Sequence, residues 1–243
     1  AGLDRLRGND YRREYRKKLQ HLNLTQDYNV TLSKGGGKND LFFSARYQEL
    51  GQYNRYDEAR NISLYLKNTL SVASWMKLTL GMDTRFNRSE FCQASGMGYT
   101  SAMPYDRLYD DDGQPVNRYI YNQVLAEQLA TQDGYYDMGF NAAEESKHNI
   151  KKTDRQYLKL FLHTDFNITK DLDLELKFQY ERNHAETNEY DEENSYMMRS
   201  ILNEFASRND DGTLTYHIPR GGHLLTGNTN ASYYNLRGQF NYK

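Results

Sequence analysis

The chain has 243 residues, a formal net charge of -2, 37% hydrophobic residues and a mean hydropathy of -0.96. No window approaches the roughly 18 consecutive apolar residues of a membrane-crossing helix, and the near-neutral charge balance gives no reason to expect nucleic acid. A β-barrel stays open, because a spanning strand shows lipid only every second residue and reads as hydrophilic on average.

Aromatic residues make up 14% of the chain, with 22 Tyr, 10 Phe and 1 Trp. Tyr suits a membrane interface, where one end of the ring is wet, but a Tyr-rich soluble β protein has the same composition. The single cysteine, Cys92, leaves no internal disulfide and no Cys cluster for a metal. The chain opens Ala1-Gly2-Leu3-Asp4 without an apolar signal segment, so it is expected to be a piece of an exported protein.

In chain order, the first segment is basic: Arg5, Arg7, Arg12, Arg13, Arg16, Lys17 and Lys18 against Asp4, Asp10 and Glu14, the pattern of a solvated face. Seven period-2 stretches follow. Tyr28, Val30 and Leu32 alternate with Asn29 and Thr31; Phe43, Ala45 and Tyr47 with Ser44 and Arg46. Ile62, Leu64 and Leu66 alternate with Ser63 and Tyr65; Met76, Leu78, Leu80 and Met82 with Lys77, Thr79 and Gly81. Leu158, Leu160, Leu162 and Phe166 alternate with Lys159, Phe161, His163 and Asp165. Leu172, Leu174, Leu176, Phe178 and Tyr180 alternate with Asp173, Glu175, Lys177 and Gln179. Finally Tyr234, Leu236, Phe240 and Tyr242 alternate with Asn235, Arg237, Gln239 and Asn241. No apolar-face position carries a charge, and a one-residue slip would put Lys and Asp among them.

The connections alternate short (35–39, 68–74, 169–171) with long (49–60, 87–155, 181–232). Outer-membrane barrels do this, with short periplasmic turns and long extracellular loops, whereas a sandwich has no reason to. Several stretches also reach the roughly 9–11 residues of a spanning strand, against roughly 5–6 in most soluble strands. Inside the long loops, 117–130 has helical character, 110–113 and 209–212 are turn sequences, and the acidic run 186–193 reads as solvated.

Gln26-Asp27-Tyr28-Asn29-Val30-Thr31-Leu32-Ser33-Lys34-Gly35-Gly36, followed by Leu41-Phe42-Phe43-Ser44-Ala45-Arg46-Tyr47 and Glu49-Leu50-Gly51, resembles the first barrel hairpin of SusC/RagA-type TonB-dependent transporters. Lys34 stands where that family commonly has Gly. Arg60-Asn61-Ile62, Trp75-Met76-Lys77-Leu78 and Pro104-Tyr105-Asp106-Arg107-Leu108-Tyr109-Asp110 with Gly113 and Pro115 are similar to its third strand, fourth strand and an extracellular loop. The resemblance implies an all-β fold: about seven strands of an antiparallel transmembrane β-barrel of roughly 22. Residues 1–20 are then a junction following a plug domain that lies outside this chain, and 21–243 the N-terminal part of the barrel. It further implies outer-membrane lipid around the barrel, a SusD-like surface lipoprotein as lid, TonB coupling through regions outside the chain, and uptake of glycan fragments or peptides. A passive porin-like barrel and a soluble Tyr-rich carbohydrate-binding module remain the alternatives.

The faces follow from the frames. Phe43, Tyr47, Leu64, Leu78, Leu80, Leu160, Leu162, Leu174, Leu176, Phe178, Leu236 and Phe240 are expected to face lipid. Arg46, Lys77, Lys159, His163, Asp165, Asp173, Glu175, Lys177 and Arg237 are expected to face the lumen. No catalytic, cofactor or metal site is expected. His163 and Asp165 share a strand face and are ingredients of an acid–base or metal site, but lumen polar groups more often just meet water. Asp106, Asp110 and Asp112 lack EF-hand spacing and read as a turn. The candidate contacts to substrate or lid lie in the longest loop: Tyr99, Tyr105, Asp106, Arg107, Tyr109, Asp110, Tyr119, Tyr121, Tyr135 and Tyr136, which offer stacking planes and hydrogen bonds.

Overall fold

The structure, a computed structural model, describes residues 6–93, 102–120, 122–132 and 134–242. A short helix, α1 (Tyr11–Leu19), precedes β1 (Gln26–Lys34), β2 (Asn39–Leu50), β3 (Glu58–Ala73) and β4 (Met76–Cys92). Then come α2 (Gln123–Gln132), α3 (Ala142–His148), β5 (Asn149–Asn167) and β6 (Leu172–Asp191). After α4 (Tyr196–Glu204) and the small strands β7 (Ala206–Arg208) and β8 (Leu214–Tyr216), β9 (His223–Tyr242) ends the described chain. The order β1-β2-β3-β4-β5-β6-β9 makes one seven-stranded sheet, antiparallel throughout, and β7 pairs with β8 separately.

The register joins the seven separate frames into one face. Leu32 lies opposite Phe43, which lies opposite Leu66, and the row continues through Met82, Leu160 and Tyr180 to Tyr234. Every apolar frame read from the sequence falls on this side. The apolar band is oblique to the register: it occupies Tyr28 to Leu32 in β1 but sits toward the opposite end in β6 and β9, at Leu172 to Tyr180 and Tyr234 to Tyr242. Strands that tilt against a barrel axis require this, since a plane cutting the barrel crosses each strand at a different residue.

Aromatic pairs mark the band's two limits. Tyr28 meets Tyr47 at 6.4 Å and Tyr180 meets Tyr234 at 4.9 Å on the side of the long connections. Trp75 stacks on Phe166 at 6.2 Å on the side of the short turns. No part of the described chain covers the band: Leu236 is 79% exposed and Phe240 68%.

The strands run well past the band. β6 has 20 residues and β5 has 19, about twice what a tilted spanning strand needs. Beyond Tyr180 the same face carries Arg182, His184, Glu186 and Asn188. There the outer face is held by ion pairs, Arg88–Asp154 at 2.6 Å and Lys152–Glu90 at 3.2 Å. In the stretch 68–74, expected to be a turn, Asn68 and Leu70 keep pairing with Leu80 and Leu78, and beyond a bulge at Ser71/Ala73 the pair Ala73–Met76 follows, which leaves only Ser74 and Trp75 to turn. The long connections accordingly shorten to 51–57, 93–148 and 192–222. The acidic run is not a solvated loop. It is strand up to Asp191, with Glu189 paired to Lys151 at 3.3 Å and Asp191 buried. The helix expected at 117–130 begins only at Gln123, because Arg118 exchanges both backbone hydrogen bonds with Phe140, at 2.8 and 2.7 Å.

The long connections fold into a layer at one end of the sheet. Asp10 caps α1 by accepting from the Arg13 N–H at 3.0 Å. Tyr11, Tyr15 and Leu19 then lie four residues apart on one stripe, packed with Leu108, Phe140, Ala142 and Ala143. The basic residues of α1 occupy its wet side, as read from the sequence. Glu14 accepts from the N–H groups of Leu108 and Tyr109 at 3.0 and 3.2 Å, which ties this loop to the helix. Burial pushes the Tyr11 phenol up to about 12.

Candidate functional site

Two polar assemblies stand out, one in the loop layer and one on the polar face of the sheet. In the loop layer, the chain leaves α2 through Gly134, whose φ of +77° suits glycine. Tyr135 and Tyr136 follow. The Asn203 side chain of α4 grips the Tyr136 backbone from both sides, accepting from its N–H and donating to its carbonyl, each at 2.8 Å. The Tyr136 hydroxyl donates to Glu193, and Arg220 donates to that hydroxyl at 2.7 Å and to Glu193 at 3.0 Å. The Arg220 guanidinium also covers the Tyr136 and Tyr216 rings, 5.4 and 5.7 Å from their centroids. Burial, and then the bond to Glu193, push the Tyr136 phenol up; the same hydroxyl and Arg220 hold the Glu193 carboxyl below its ordinary value.

A second clamp sits beside it. Arg199 of α4 donates to the carbonyls of Asp137 and Gly139 and to the buried Glu145 at 2.7 Å, and the other Glu145 oxygen accepts from the Tyr196 N–H at 2.7 Å. Between α2 and α4 these clamps leave a cavity of about 360 Å³, lined by Leu125, Ala126, Leu129, Tyr135, Tyr136 and Met138, with Asn122, Ser200, Asn203 and Glu204 at its polar edge. An apolar pocket with a few polar groups can take an apolar side chain or the face of a ring.

The structure brings only some of the sequence candidates together. Tyr135 and Tyr136 line the cavity. Tyr119 lies beside Asp137, partly buried. Tyr105 is 55% exposed. Asp106 accepts from the Met103 N–H at 2.8 Å and faces Arg118 at 3.6 Å; Arg107 pairs with Asp111 at 2.7 Å. Tyr109 lies under the Lys18 ammonium at 5.5 Å. Asp110 closes its own turn, accepting from the N–H groups of Asp112 and Gln114 at 3.0 and 2.7 Å, as the turn reading expects. Tyr99 and Tyr121 lie outside the described residues. Sequence reasoning missed Glu193, Arg199, Asn203, Tyr216 and Arg220. They arrive from the connection 192–222, and nothing local marks a partner so distant along the chain.

On the polar face, Lys159, His163, Lys177 and Arg237 surround a trough of about 540 Å³ with Lys67, Asp83, Phe161 and Gln179. Phe161 lies across Gly81, where a side chain would strike its ring. Arg46 pairs with Asp27 nearer the long connections. Below the trough, His163 Nε2 lies 2.9 Å from Asp165 and 3.1 Å from Glu175, and Lys177 lies 3.0 Å from the other Glu175 oxygen. Lys77 is level with Asp165, and Asp173 with Asn241.

This architecture is an open segment of an antiparallel β-barrel, apolar on one face and polar on the other, with long connections at one end. Solved structures share it. A chain of the RagAB peptide importer in its closed-closed state superposes with a TM-score of 0.67 at 12% identity, covering 97% of this chain and 24% of that chain. A chain of the RagAB peptide transporter gives 0.58 at 13% identity, covering 76% and 20%. This chain thus spans about a quarter of the importer chain it matches. No family model and no curated protein matches it.

Proposed function

We propose that the chain is part of a TonB-dependent outer-membrane transporter of the SusC/RagA type. The observation that carries this is the oblique apolar band. It is bounded by aromatic pairs, left bare on an otherwise charged sheet, and borne by a segment that superposes on the RagAB importer chain. Bilayer lipid is the cover that such a band fits, with aromatic rings at both interfaces. No described helix is long and apolar enough to cross a membrane, so the crossing falls to strands. In this reading the short turns face the periplasm, and the loop layer faces outward beneath a SusD-like surface lipoprotein. The trough belongs to the lumen, and energy comes from TonB through regions outside this chain. The cargo is a peptide or a glycan fragment. The protein conducts and does not catalyse.

Whole cells carrying the complete protein test each step. A cysteine at Asp112 should react with a membrane-impermeant maleimide in intact cells, and one at Lys38 only after the outer membrane is permeabilised. The reverse pattern refutes the orientation. Uptake of labelled peptide or oligosaccharide should stop when TonB is removed. Uptake that persists identifies a passive porin. A monodisperse, cooperatively melting monomer in detergent-free buffer would identify a soluble module.

A further inference from the structure

The geometry points to a divalent metal site on the lumen face, formed by His163, Asp165 and Glu175. Two strands build it. His163 and Asp165 are two residues apart in β5 and so project from the same face, and Glu175 of β6 is the direct cross-strand partner of Asp165. One ligand atom from each residue can be chosen so that all lie within 4.8 Å of one another. His163 Nε2 is 2.9 Å from an Asp165 oxygen and 3.1 Å from a Glu175 oxygen. A cation with bonds of about 2.1 Å to nitrogen and oxygen needs neighbouring ligand atoms about 3.0–3.4 Å apart. Both distances from His163 fit that spacing, and the Asp165 and Glu175 oxygens, within 4.8 Å of each other, need move together by no more than about 1–2 Å to close on a metal.

The donor set selects the metal. Imidazole with two carboxylates suits a first-row ion such as Zn²⁺, whereas Mg²⁺ and Ca²⁺ prefer all-oxygen shells. Three protein ligands leave further positions open, and all three residues are half-buried rather than sealed. His163 also lines the trough, so an open position faces the space where Lys159, Lys177 and Arg237 gather. A bound ion would add positive charge there and offer a coordination point to a carboxylate or phosphate oxygen. By sequence alone His163 and Asp165 read as lumen groups that meet water; cross-strand pairing adds Glu175 as the third ligand.

A protonated imidazole held between two carboxylates makes the same short contacts without metal. Lys177 separates the two cases, because its ammonium competes for Glu175 at 3.0 Å. The test titrates the complete barrel protein, purified in detergent, with Zn²⁺ by calorimetry, using Co²⁺ absorption as the spectroscopic probe. One site is expected. It should weaken at least tenfold in His163→Ala and in Glu175→Gln and tighten in Lys177→Ala. Each variant is checked by heat-modifiable migration, so a lost barrel is not mistaken for a lost site. Absence of a Zn²⁺ site, a site indifferent to His163→Ala, or weaker binding in Lys177→Ala overturns the proposal. Any of these outcomes with TonB-dependent uptake intact leaves the transporter reading standing.

Discussion

The strongest quantitative consequence of the band is a depth profile along β6. Leu176 stands at the middle of the apolar run from Leu172 to Tyr180, opposite Thr164 and Gly238. An arginine there meets hydrocarbon near the midplane and should destabilise the folded barrel by about 2–4 kcal/mol. Two residues along a strand rising about 3.4 Å per residue and tilted about 40° change depth by about 5 Å. Arginine at Phe178 is therefore about 5 Å from the midplane and at Tyr180 about 10 Å, near the edge of a band about 25 Å tall, where the cost falls to about 0–1 kcal/mol. The next residue on that face, Arg182, is already arginine. Gln179→Arg points to the lumen beside Glu181 and should cost under about 1 kcal/mol. The assay is urea unfolding of the complete barrel in lipid vesicles. Equal costs from Leu176 to Tyr180, or a Gln179→Arg as damaging as Leu176→Arg, would refute both the band and the face assignment.

Gly81→Val should cost about 1–3 kcal/mol by overpacking, because a Cβ at Gly81 would lie 2.0 Å from the Phe161 ring. Phe161→Ala should recover most of that loss in the double variant, and simply additive losses in the same unfolding assay would refute the contact. Tyr11→Ala should empty the core beneath α1, with about 3–5 kcal/mol lost from the loop layer, read as rapid proteolysis within 102–148 while the barrel stays heat-modifiable. The Glu193 carboxyl is held low by Tyr136 and Arg220, so its contribution is complete above the ordinary glutamate value and disappears as pH falls through the lowered one. Hydrogen exchange at 134–138, corrected for intrinsic rate, should be flat from about pH 8 to 5 and rise below about pH 4; Glu193→Gln should exchange faster and lose the pH dependence.

The seven apolar frames are legible because an apolar face and a polar face alternate along each strand with a period of two, and every frame lands on one face. Their joint register was not legible. That Leu32 shares a row with Phe43, Leu66 and Tyr234 depends on pairing across the whole sheet. The outer halves of β6 and β9 escaped notice for a related reason. From Glu181 to Asp191 polar residues occupy both faces, and in His223 to Tyr233 the adjacent Leu224 and Leu225 fall on opposite faces, so no alternation marks the strand. The Asn68 to Ala73 end of β3 was read as a turn for want of pattern, although its cross-strand bonds continue. In α1 the buried stripe is two tyrosines and a leucine among five basic residues, and charge count hides it. Within the loop layer, Asp110 announced its turn through local Asp-Gly chemistry. Arg220 gave no sign of reaching Tyr136, since such contacts are settled by tertiary packing.

The low mean hydropathy follows from this geometry. A strand that only spans would devote half its residues to lipid. Here about half of each long strand also rises beyond the band, where the outer face turns to Arg88, Glu90, Lys152 and Asp154 and pairs its own charges. Beyond the band the paired strands continue, and the long connections spring from their far ends. The Tyr136–Arg220–Glu193 clamp and the cavity beside α4 are carried by the connections that leave these paired strand ends. A binding surface mounted on ordered strand ends loses less conformational freedom on capture than one carried by free loops. In the proposed orientation it stands clear of the lipid, where a second protein can reach it. On the transporter reading proposed above, the charged composition is the signature expected of a barrel whose strands continue beyond the bilayer.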